Sequence, residues 1–152
     1  MRLVHFAALL ATLAPAAIVS AQGGARAERG VFLTLFRSPS TGVELRAGHA
    51  AAHVGFYPTV LRRDGARDDV NFVRAGATYY LRARGASPYV SPSLLWSLDP
   101  EWRGGALTEV GFRGQLYGRV NGRLGAGVLT TLDGRVRVNP TVGLDLRLGG
   151  AR

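Results

Sequence analysis

With 152 residues the chain has room for one domain or one small barrel, not for several cores. It contains no cysteine, so a disulfide framework is excluded and strand ladders and packing must hold the fold. The formal charge of +9 rests on Arg without a single Lys, but the Arg residues are spaced along the chain rather than clustered, which speaks against a nucleic-acid partner.

The first segment, MRLVHFAALLATLAPAAIVSAQ, has an early Arg2, an apolar run, and the small residues Ser20 and Ala21 before Gln22. It reads as a secretory signal peptide over 1–21, followed by a short flexible leader over 22–29 and a folded domain over 30–149. Past residue 30 the apolar residues recur with period two, not 3.6, and Gly, Val, Tyr, Thr and Phe are frequent. Eight strands are predicted, near 30–37, 42–49, 51–61, 70–84, 88–98, 105–118, 123–132 and 135–148.

Taken in order, the second and third strands are divided by a weak turn between Gly48 and Ala52. This stretch holds HAAAH, with His49 and His53. On a helix the spacing suits a metal. Here there is no intervening Glu, no third ligand nearby and a strand or turn context, so two histidines near a barrel rim are expected, and no metal or other cofactor. RRDGARDD follows as the longest connection and reads as a solvated loop carrying Arg62, Arg63, Asp64, Arg67, Asp68 and Asp69. The fourth strand alternates Val73, Ala75, Ala77 and Tyr79 with Arg74, Gly76, Thr78 and Tyr80; Gly85 then marks a turn. In the fifth, Val90, Pro92, Leu94 and Trp96 oppose Tyr89, Ser91, Ser93 and Ser97. No His lies in that segment to activate a Ser, and the chain is not expected to be an enzyme. DPEWRG forms the next loop, with Trp102. Asn121-Gly122 and Asp133-Gly134 are predicted as two-residue hairpin turns. The last strand, GRVRVNPTVGLDLRLGG, alternates almost without error. In this scheme the long connections follow the odd-numbered strands and the short ones follow the even-numbered strands.

Two barrels satisfy the alternation. In one, the apolar stripe fills a dry core and Arg points to solvent, as in a soluble periplasmic or secreted calycin-like barrel that binds a small apolar ligand. In the other, the apolar stripe faces lipid and the polar stripe fills the lumen. The second is favoured by a polar face rich in Gly, Ser and Thr, by an apolar face of Val, Leu and Ala with few large aromatics, and by opposite charges on the polar face. Phe56, Tyr79, Trp96 and Phe112 are the outward aromatic candidates.

The export signal, hairpins such as TYYLRARGASPYVSPSLLWSL, and the final VNPTVGLDLRLG make the chain resemble the small, eight-stranded outer-membrane β-barrel proteins over roughly Gly30 to Gly149. The resemblance implies an all-β, up-and-down antiparallel, transmembrane barrel in the outer membrane. It also implies insertion by the outer-membrane insertion machinery, with both termini on the periplasmic side. Members usually end the last strand on an aromatic residue, whereas here Leu148 is followed by Gly-Gly-Ala-Arg. Pro58, Pro92 and Pro140 fall within predicted strands and each removes a ladder donor. The expected lumen charge network comprises Glu44, Arg46, Arg74, Arg82 and Glu109, with Arg113, Arg137, Asp145 and Arg147. Eight strands leave an interior that side chains fill, so the lumen is expected to be polar and plugged. The charged loop and Trp102 are expected on the outer side, contacting membrane lipid and lipopolysaccharide. The expected role is structural or surface-interacting, without catalysis.

Overall fold

The computed structural model describes residues 28–149 apart from Pro39 and Asp64; the expected signal peptide and residues 22–27 of the leader lie outside them. Eight strands follow one another: β1 (Arg29–Ser38), β2 (Ser40–Ala47), β3 (Ala50–Arg63), β4 (Ala66–Tyr80), β5 (Ser87–Ser97), β6 (Gly105–Tyr117), β7 (Val120–Thr131) and β8 (Val136–Gly149). Each pairs antiparallel with the next, and β8 pairs with β1, closing an up-and-down barrel. The fold class expected from the alternation is the one found.

Several boundaries move, for physical reasons. RRDGARDD is not a loop but the tip of the β3–β4 hairpin, with Arg62 opposite Arg67 and Arg63 opposite Ala66. Charged outward residues end the hydropathy alternation there, but Leu61 and Val70 still point inward and are buried. Gly65, with φ of 87°, makes the tight turn. The expected turn at Asn121-Gly122 lies instead at Gly118-Arg119, where Gly118 has φ of 51°; Asn121 and Gly122 pair with Gln115 and Gly114 inside the β6–β7 ladder. The β4–β5 link, Leu81–Ala86, is six residues long because β4 ends at Tyr80. The expected segregation of long and short connections therefore does not hold. What separates the ends is the β3–β4 hairpin, which rises at the end reached by odd-numbered strands, hereafter the upper end.

The two stripes face as the second barrel requires. Glu44, Arg74, Glu109, Arg113 and Asp145 point into the lumen and are buried. Outside stand Val43, Val54, Val90, Val110, Leu124, Val138 and Leu144, among twenty exposed large apolar residues of the described part. Phe56, Tyr79, Trp96 and Phe112 all lie outside or partly outside. Among the described residues the outward positions around the middle of the barrel carry no charge; Arg62, Arg67 and Asp69 stand on the projecting hairpin.

The prolines find compatible places. Above Thr41↔Phe56, β3 has no β2 partner, and above Ser38↔Val142, β8 has no β1 partner, because the β1–β2 hairpin is short. Pro58 and Pro140 lie on these two free edges. Pro92 falls where the β4–β5 ladder is interrupted between Gly76↔Ser93 and Tyr79↔Val90. At the interruption Thr78 Oγ1 and Ser91 Oγ, 2.9 Å apart, supply a side-chain hydrogen bond instead.

Candidate functional site

The lumen is filled in three layers. The lowest is a ring of alternating charge contributed by Glu28, just before β1, and by β2, β6, β7 and β8. Arg46 Nη1 donates to Glu28 at 2.8 Å, and Arg113 reaches Glu28 at 3.3 Å and Asp145 at 3.2 Å. Arg123 closes the ring, donating to Asp145 through Nε and to Glu44 through Nη2 at 2.6 Å. Tyr80 Oη donates to the other Glu44 oxygen at 2.6 Å, and its ring lies 3.8 Å beneath the Arg46 guanidinium. Phe32 similarly faces Arg113 at 4.5 Å. Stacked aromatic faces and charge-assisted hydrogen bonds thus replace the water these ions have lost.

The middle layer centres on Arg74, whose Nη2 donates to Glu109 at 2.7 Å and to Ser93 Oγ at 2.9 Å, while Nη1 donates to Ser40 Oγ at 3.2 Å. Thr141 donates to the second Glu109 oxygen at 3.1 Å. His53 Nε2 lies 3.1 Å from Arg74 Nη2 and 2.9 Å from Ser93 Oγ. Its Nδ1 lies 3.3 Å from Thr78 Oγ1, so both ring nitrogens have polar neighbours. Gly76, opposite Ser93, leaves the space: a Cβ there would lie 3.0 Å from His53 Nε2 and closer still to the β5 backbone.

The upper layer is apolar. Tyr57, Leu61, Val70, Phe72, Leu95, Trp102, Leu107 and Leu129 form one buried cluster. The lumen is therefore plugged, but only its lower two layers are polar. Trp102, expected outside with the loops, folds over the top and is 8% exposed. Its loop is shaped by Asp99, whose carbonyl accepts from Trp102 N at 3.1 Å and whose carboxylate accepts from Asn71 N at 2.7 Å.

Of the expected network, Glu44, Arg46, Arg74, Glu109, Arg113 and Asp145 are brought together in the lumen. Three are not. Arg82 lies in the β4–β5 link and is exposed, giving the network only its carbonyl, which accepts from Arg46. Arg147 is half-buried at the lower rim, donating to Arg29 O. Arg137 is half-buried at the upper end, bound to Asn139 at 2.7 Å. Parity gave all three the right face, but they stand at strand ends where the lumen opens. Of the loop residues, Arg62, Arg67 and Asp69 are exposed and Asp68 is half-exposed, while the Arg63 side chain and Asp64 lie outside the described residues.

Three members were missed. Glu28 belonged to the supposed leader, although its carbonyl accepts from Gly48 N and its carboxylate completes the ring. Arg123 directly follows the expected Asn121-Gly122 turn, which lies instead at Gly118-Arg119. The contact of His53 with Ser93 joins residues forty positions apart, and only the β3–β4–β5 register reveals it. This pair has a hydroxyl, not a carboxylate, at Nδ1, and Ser93 is 5% exposed. His49, in the β2–β3 turn, is exposed, bonded to Tyr80 O and stacked on Tyr79, so the two histidines share no site, and His53 is mid-lumen rather than at a rim.

Compared with known proteins, the chain matches no family model, no curated protein and no solved structure. The functional reading therefore stands on this geometry.

Proposed function

We propose that the chain is an integral outer-membrane β-barrel with a structural or surface-interaction role, a plugged lumen and no catalytic activity. The observation that carries this is the direction of the stripes: ion pairs enclosed, Val and Leu outside. Soluble monomers rarely expose a contiguous apolar patch beyond a few hundred Å². Here the apolar band runs around the barrel. On β3 it spans Ala52–Val60, and strands of about 9–11 tilted residues suffice to cross a bilayer. The leading segment and the barrel pattern support export and insertion through the outer-membrane machinery. The charged β3–β4 tip, with Arg62, Arg67 and Asp68, then meets lipopolysaccharide, Arg on its phosphates and Asp68 on bridging cations. The soluble alternative needs the same stripe turned inward, and only the upper apolar layer resembles such an interior.

The test is fractionation followed by gel mobility. The protein is expected in the membrane fraction, extractable only with detergent, and its unboiled form should migrate apart from its boiled form. Recovery in the salt-washed soluble fraction with a single band would reject the proposal.

A further inference from the structure

The barrel wall is uneven in height. Between the free edges of β3, from Tyr57 to Arg63, and of β8, from Val136 to Thr141, there is a gap of about six residues, or roughly 20 Å along the strands. A cavity of about 580 Å³ opens there, within the range of small-molecule sites. Its outward lips are apolar, formed by Pro58 and Val60 on one side and Pro140 on the other. Behind them Val70 connects the cavity to the upper apolar layer.

The back of the notch is built. Asn139 Nδ2 donates to Tyr57 Oη at 2.7 Å, bridging β8 to β3, and Arg137 Nε donates to Asn139 Oδ1 at 2.7 Å. This fixes Arg137 by one nitrogen, and among the described residues its Nη1 and Nη2 have no hydrogen-bond partner. Asp69, on the outer side of β4, brings a single carboxylate to the same cavity. An added strand is a poor occupant, because Pro58 and Pro140 interrupt both edges. An acyl chain asks for no hydrogen bonds and matches the apolar lips.

From these observations we infer that the β3–β8 notch seats one phospholipid: an acyl chain lies between Pro58, Val60 and Pro140, its phosphate sits on the free edge of Arg137, and a primary ammonium of the headgroup pairs with Asp69. The inference rests on the membrane reading above. One guanidinium and one carboxylate suit a headgroup carrying both signs better than a purely anionic one, and a quaternary amine cannot donate to Asp69.

The two tryptophans separate the two claims. Trp96 faces outward on β5, across the barrel from the notch, whereas Trp102 packs in the cluster that includes Tyr57 and Val70. W102F and W96F leave one reporter each, for refolding into vesicles containing acyl-brominated phosphatidylethanolamine, phosphatidylcholine or phosphatidylglycerol with matched chains. In W102F, all three lipids should quench Trp96 alike. In W96F, the ethanolamine lipid should quench Trp102 at least about twofold more than the other two, and adding R137Q should abolish that excess. Equal quenching of Trp102 by all three, a glycerol lipid that matches the ethanolamine one, or an excess that survives R137Q overturns the inference while Trp96 still reports insertion. Loss of Trp96 quenching overturns the membrane reading itself, and the inference with it.

Discussion

Asp145 is completely buried, and the two groups that hold it, Arg113 and Arg123, are buried too. Removing one member of such a set leaves the others charged in a medium that cannot solvate them, typically at a cost of about 3–5 kcal/mol. Asp145→Asn is therefore expected to lower stability by about that amount, measured by urea unfolding of the refolded protein in micelles. The Arg74–Glu109 pair allows the complementary test. Replacing both with Leu should cost clearly less than replacing either alone, because no orphan charge remains, and a double-mutant cycle reads the difference. At this scale period-two parity pointed to Glu44, Arg46, Arg74, Glu109, Arg113 and Asp145 as inward charges, but not to Glu28 or Arg123. It could not tell mid-lumen from rim, which is why Arg82, Arg137 and Arg147 were grouped with Arg74. Nor could it show the Ser93–His53 contact, which depends on the register of three strands.

Strands β3 and β8 show what the sequence conveys about elements. Their alternation announced strand and face, and their prolines looked like faults in a closed ladder. The short β1–β2 hairpin resolves this by leaving both edges unpaired where Pro58 and Pro140 stand. That hairpin's length is a property of pairing, invisible to hydropathy. Restoring the missing donors with P58V/P140V should make the edges adhesive, and cross-linking in detergent should show more dimer and higher species than in the parent protein. The outward stripe has its own test. Val110 is 55% exposed near the middle of β6, and Val110→Arg should cost about 2–4 kcal/mol in a bilayer if that face meets acyl chains. On a face that meets water the same change should cost almost nothing.

Among the described residues, the ion pairs of the lumen balance. Arg46, Arg74, Arg113 and Arg123 are matched by Glu28, Glu44, Glu109 and Asp145. Ring, middle layer and apolar cap close the bore in succession, so purified protein in planar bilayers is expected to give no steady conductance, and stepwise currents would contradict the plugged lumen. Among the described residues the unbalanced positive charge lies at the lower end instead. Arg29, Arg82, Arg84, Arg119 and Arg147 gather at the lower mouth, where, among the described residues, no exposed acid answers them.

The charge ring is not assembled from neighbours in sequence. Its guanidinium groups on β6 and β7 precede, in the chain, the carboxylate on β8 that they share. A chain cut short after β7 would leave Arg113 and Arg123 without the carboxylate they share, and is expected not to refold into a closed barrel. Asp145 in this way makes completeness a condition of sealing: only a molecule that possesses its final strand can shut its own interior.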